Sequence, residues 1–140
     1  MLDVAHAYPK IEVTGIDINR LKVEYACALA RMQGLNNASF RVMDALKPLD
    51  FPDSSFDMVN IRFISGFMSP PAWPKFLQEC WRITRPGGTI RLTETETDLS
   101  NSPASERFNA MFTKALKLAG QSFSPDGRNI GITPMIGPAC

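Results

Sequence analysis

A single histidine, His6, and three scattered cysteines, Cys27, Cys80 and Cys140, leave this sequence almost nothing with which to hold a metal ion. A structural zinc site takes about four Cys or His ligands at tight spacing, and no such spacing occurs. The odd cysteine count argues against a disulfide framework and for small buried thiols in a reducing cytosol. An excess of charge of one sign is missing too, since 15 basic and 14 acidic residues leave a formal net charge of +1. No global field therefore steers the chain toward nucleic acid or an anionic membrane. No apolar run approaches the ~20 residues of a membrane span, and Met1 to His6 lack the basic start and apolar core of a signal peptide. These absences predict a soluble, cytoplasmic protein with no metal, nucleic-acid or membrane partner.

What is present is an ordinary globular composition, 44% hydrophobic and 21% charged over 140 residues, enough for one domain with a real core. Leu2, Ala5 and Tyr8 share a helical face that Pro9 stops. A β-rich run over 11–16 ends at Asp17. Asn19 is placed to cap a helix through Gln33, in which Leu21, Tyr25, Ala26, Leu29 and Met32 keep the helical period and Gly34 marks the stop. A strand over 39–43 leads to Asp44, the prolines of 47–55 make a loop, and Phe56–Arg62 is a third strand. After an irregular connection, Trp73, Phe76, Leu77, Cys80 and Trp81 follow the spacing of a helix face, with both tryptophans as core anchors. Arg85-Pro86-Gly87-Gly88 reads as a tight turn before a fourth strand from Thr89 to Glu94. Ser102 and Pro103 open a last helix that ends at Gly120, and the remaining residues form an irregular tail. Strands alternating with long helices imply an α/β fold with a parallel sheet.

In such a sheet, ligands bind beyond the carboxyl ends of the strands. Asp17 closes the first strand, where a carboxylate can accept both hydroxyl protons of a ribose or can serve only as a turn residue. Asp44 closes the second, where it can meet an exocyclic amine of adenine or cap a turn. Asp57 starts its strand and is read as structural. Arg62 can act at a strand end or pair with the acids near Glu94 and Glu96. His6 is read as a partly exposed structural residue.

Taken in order, VTGIDIN (13–19), VMDA (42–45), PDSSFDMVNIRF (52–63) and ITRPGGTIRLTE (83–94) resemble consecutive motifs of class I S-adenosylmethionine-dependent methyltransferases. The resemblance runs over residues 1–98, and 1–140 is read as one partial domain of that family. It implies a Rossmann-like, mostly parallel sheet flanked by helices. It further implies that Asp17 binds the ribose hydroxyls of S-adenosylmethionine, Ile18 packs on the adenine, and Asp44 meets the adenine amine beside Ala45. Asn60, Ile61 and Arg62 then fall against the methionine part of the cofactor, and Glu94 and Glu96 where the family shapes its acceptor pocket. A small-molecule acceptor is expected.

The departure from the family lies at the front. Its acidic glycine-rich loop has no counterpart, for Gly15, Gly34 and Gly66 stand alone and Gly87-Gly88 belongs to a turn. The sheet is thus expected to be incomplete, without its central first strand and its C-terminal hairpin. Bare backbone groups on the flanking strands would cost about 1–3 kcal/mol each. A rearranged sheet or a homodimer formed by strand addition or swapping is expected, with cofactor binding weakened or lost. Two other readings stay open: a non-catalytic fragment that dimerises, and a fragment of a nicotinamide-dependent oxidoreductase, which would also place an acid after its first strand.

Overall fold

Pro9 follows closely on α1 (Leu2–Ala7), the first element of the computed structural model, which describes residues 1–96 and 101–136. Cys140 lies outside the described residues. The chain forms two compact units, Met1–Asp50 and Phe51–Cys140.

In the first unit, β1 (Val13–Asp17) and β2 (Ala38–Val42) pair in parallel, with Asp17 opposite Val42. Between them runs α2 (Arg20–Met32), capped by Asn19, whose side chain accepts from the amides of Leu21 and Lys22. Gly34 takes the left-handed conformation (φ +68°) that stops the helix, as its sequence position predicts. Asn37 ties the unit together. Its Nδ2 donates to the carbonyls of Ala5 at 3.0 Å and Ile11 at 2.9 Å, joining the buried end of α1 to the segment that enters β1. The buried face of α2 differs from the one its period suggests. Val23 and Ala30 are buried, whereas Leu21, Tyr25 and Met32 are exposed. The helix is apolar on more than one stripe, and a two-stranded sheet covers only one. The stripe of small side chains wins because it lets the helix axis come close, and the Cys27 thiol reaches the Phe40 carbonyl at 4.0 Å.

The second unit pairs β3 (Phe56–Arg62) with β4 (Thr84–Thr93), also in parallel. Connecting them is α3 (Trp73–Ile83), preceded by a 3-10 turn at Pro70–Ala72. Trp73, Phe76, Cys80 and Ile83 form its buried stripe. Trp73 is therefore the anchor expected of it, but Trp81 is 78% exposed and Leu77 lies outside the core as well. Burial pushes the Cys80 thiol up to about 11, with the Glu79 carboxylate adding to the shift.

The Pro86-Gly87-Gly88 sequence is not a turn between elements. It is an irregularity inside β4: Phe56 pairs with Thr84 but Met58 already pairs with Thr89, so β4 carries extra residues here. Gly87 supplies a positive φ of 76°, and a Cβ on Gly88 would lie 2.9 Å from the Asp57 carbonyl oxygen. Asp57 itself pairs with Arg85 at 2.6 Å, a structural use. The final helix, α4 (Pro103–Leu118), has Ser102 at its cap position and Pro103 first, and Gly120 ends it. It buries Thr113 and Leu116 and exposes Phe108, Met111 and Leu118.

The residues after α4 are irregular but not loose. Ser122, Ser124, Ile130 and Ile132 are buried. Phe123 stacks edge-on against Trp73 at 5.9 Å between ring centroids, and its amide donates to the Ile130 carbonyl at 2.8 Å. The tail thus finishes the core of this unit.

Among the described residues the strands form two parallel two-stranded sheets, one in each unit. Parallel strands joined through helices are the Rossmann-like α/β arrangement, in an incomplete form.

Candidate functional site

Because β1 and β2 are parallel and end in register, their terminal acids come to one edge. The Met43 amide donates to the Asp17 carbonyl at 3.1 Å, locking the two strand ends together. Each acid is then held in the same way. Asp17 Oδ1 accepts from the Asn19 amide at 2.8 Å, and Asp44 Oδ1 accepts from the Leu46 amide at 2.9 Å. Each Oδ2 faces only a lysine at ion-pair range, Lys22 at 3.8 Å and Lys47 at 3.9 Å. Exposed pairs at such distances are worth ~1 kcal/mol at most. One oxygen of each carboxylate therefore fixes the side chain, and the other remains an acceptor that a ligand hydroxyl or amine can claim. Ile18 projects from the same edge, 68% exposed, and Ala45 follows Asp44 half-buried. Two oriented acceptors beside an uncovered apolar side chain fit the polar edges and flat face of a nucleoside.

Asn60, Ile61 and Arg62 belong to the second unit, at the carboxyl end of β3. Asn60 and Arg62 are exposed, while Ile61 is only 6% exposed and points into the core. Arg62 does not take up Glu94 or Glu96. Its guanidinium lies 5.1 Å from the centre of the Phe63 ring. Both acids are used by backbone instead. Glu94 accepts from the amides of Ile64 (2.8 Å) and Ser65 (3.3 Å) and from the Ser65 hydroxyl (2.7 Å). Glu96 accepts from the Gly131 amide and from the Thr133 amide and hydroxyl. Burial alone would raise the Glu96 carboxyl, but the Thr133 and Gly131 bonds outweigh it and hold it below its ordinary range. Glu94, Glu96, Thr93 and Thr133 line an open cavity of about 360 Å³ at the end of β4.

Two features here escape sequence reading. Phe63 has a positive φ of 54°, which nothing in its neighbours announces. The partners of Glu94 and Glu96 lie about thirty residues or more away along the chain. Among the described residues no group of His, Cys, Asp or Glu could hold a metal ion, and no helix is long and apolar enough to cross a membrane.

Comparison with known proteins places these features in a family. The model of the methyltransferase domain matches residues 1–88. A demethylmenaquinone methyltransferase of Listeria welshimeri is 31% identical over 117 residues, 83% of this chain and 48% of the relative. The chain thus spans about half the length of the curated relatives it matches. Among solved structures, the [4+2]-cyclase SpnF aligns with a TM-score of 0.61 at 31% identity, over 71% of this chain and 35% of its own. A SAM-dependent methyltransferase from Aquifex aeolicus aligns with a TM-score of 0.53 at 26% identity, over 78% and 58%. With a family match over more than half its length and a parallel α/β fold, the chain belongs to the class I S-adenosylmethionine-dependent methyltransferase domains.

Proposed function

We propose that this chain is part of an enzyme that transfers a methyl group from S-adenosylmethionine to a small-molecule acceptor. The observation that carries the reading is the matched pair of strand-end carboxylates, each oriented by its own turn and each with one oxygen loosely held. Asp17 takes the ribose hydroxyls, Ile18 covers the adenine, and Asp44 with Ala45 reads the adenine edge. The family pattern gives the methionine half to Asn60, Ile61 and Arg62, and with Ile61 buried its part falls to the backbone. When bound, the cofactor supplies an electrophilic methyl on a sulfonium, which an acceptor lone pair takes in line as the thioether leaves. The chain's contribution is to hold and orient, which in such displacements supplies most of the acceleration, so no dedicated base is required of it.

Since these 140 residues contain no glycine-rich loop, we propose that the chain alone holds the cofactor weakly. We also propose that it associates as a homodimer through its strand edges. The exposed Phe108, Met111 and Leu118 on α4 offer a second apolar surface for association. The single-domain reading of 1–140 belongs to the same proposal.

Isothermal titration with S-adenosylmethionine, alongside sedimentation analysis, tests this. The Asp17→Asn variant keeps an oxygen for the Asn19 amide but loses the charged acceptor, and should bind at least tenfold more weakly, about 1.4 kcal/mol. Binding unaffected by both Asp17→Asn and Asp44→Asn would refute the assignment, and tight binding by a monomer would refute the weak-binding and dimer proposals. The likeness to a [4+2]-cyclase favours one other reading, in which the chain serves a cyclisation rather than a methyl transfer. Product S-adenosylhomocysteine, formed only when an acceptor is added, distinguishes the two.

A further inference from the structure

Among the described residues, only Ser54 and Phe63 are non-glycine residues with positive φ. Ser54 is a small polar residue in an exposed loop, where a positive φ costs less than for a bulky side chain. Phe63 is bulky, and its Cβ crowds the backbone there. Phe63 is 54% exposed, so burial of its ring does not offset the strain. The strain is instead imposed from outside. The Phe63 amide donates to the Thr93 carbonyl at 3.0 Å, and the Glu94 carboxylate grips the next two amides and the Ser65 hydroxyl. Ile64 and Ser65 are buried beneath. The turn is thus anchored from below so that a ring stands out at the carboxyl edge of β3 and β4, where open α/β sheets take their ligands. Arg62 lies against that ring, and among the described residues it has no acidic partner.

We infer that Phe63 and Arg62 form a stacking platform for the acceptor, which is a planar aromatic molecule carrying an acidic hydroxyl or carboxylate. The exposed ring offers its face and edge to another π-system. The adjacent guanidinium attracts the anionic substituent and favours the planar partner. Glu94 is a positioning residue: it touches no acceptor and acts by holding the turn. This inference rests on the methyl-transfer reading for the word acceptor, but not for the platform itself.

The test needs no cofactor, so its failure is separable from failure of the Asp17 titration. The probe is 1-hydroxy-2-naphthoate, followed by its fluorescence with the full chain. Phe63→Gly relieves the backbone while removing the ring. It should weaken probe binding at least fivefold while leaving the thermal midpoint equal or higher, and Phe63→Trp should restore binding. Arg62→Leu should abolish any preference for the probe over uncharged 1-naphthol. Glu94→Gln should weaken binding in the wild-type background and have no further effect on affinity in the Phe63→Gly background, a coupling that a purely structural role does not produce. Equal binding by Phe63→Gly, equal competition by cyclohexanecarboxylate, or no binding by the wild-type chain would each overturn the inference.

Discussion

Replacing Glu96 by Gln probes how the tail of the second unit is held. The native carboxylate takes the Gly131 amide on one oxygen and the Thr133 amide (3.0 Å) and hydroxyl (2.8 Å) on the other. Glutamine is the same size but has only one acceptor oxygen, so its NH₂ must face at least one donor. Hydrogen bonds to a charged group are worth roughly 1.5–3 kcal/mol each, and a donor left unmatched costs about 1–3 kcal/mol. With the site partly open to solvent, a loss near the lower end, about 2 kcal/mol, is expected at neutral pH. Urea unfolding should show a lower midpoint at unchanged slope, and the Gly131 and Thr133 amides should exchange faster. The effect also has a pH signature. The carboxyl is held below its ordinary 4.5 in the folded chain, so its stabilisation is fully present above that value. It is lost as pH falls through the lower folded value, because the protonated acid then resembles glutamine. The gap between wild type and variant should therefore be constant from pH 6 to 8, on the order of 2 kcal/mol, and shrink in acid. An equal gap at pH 3 and pH 7 would refute the clamp.

Gly131→Ala should be more damaging. A Cβ there would lie 2.5 Å from the Ser124 nitrogen, with φ at +77°, and backbone cannot yield as a side chain can. A loss of roughly 2–5 kcal/mol, read by thermal unfolding, is expected from the left-handed strain and the overpacking together. Cys80, buried and with its thiol pushed up to about 11, should resist iodoacetamide at pH 8 until the chain is unfolded, as mapped by peptide mass spectrometry.

The legible parts of this fold are those whose signals are local. The alternation and flanking turn residues of Phe56–Arg62 gave a strand with the bounds observed, and Asn19 with Gly34 bracketed a helix closely. The two strand-end acids were legible for the same reason, since a parallel sheet puts consecutive strand ends on one edge. The rotation of α2 and the exposure of Trp81 were not. Both helices carry apolar residues on adjoining stripes, and which stripe is buried depends on the breadth of the surface that meets it. The Pro86-Gly87-Gly88 segment looked like a turn because those residues make turns, yet a neighbouring strand can absorb the same backbone as a bulge. The buried isoleucines of the tail and the posture of Phe63 depend on carboxylates far along the chain, and no period records such partners.

The completion of the second unit by Ile130 and Ile132 also fixes the order in which this protein can mature on the ribosome. Side-chain hydrogen bonds within Met1–Asp50 join residues no more than 32 positions apart, so that unit has its partners in hand early. The second unit does not. Its strands and α3 emerge well before the residues that seal Trp73 and receive the Glu96 carboxylate. From Thr93, the end of β4, to Ile132, synthesis at ~5–20 residues per second takes on the order of 2–8 s. Through that interval the unit still lacks the Phe123 ring that packs on Trp73 and the buried Ile130 and Ile132. Chaperone capture and misassembly of nascent chains are expected to concentrate in this window.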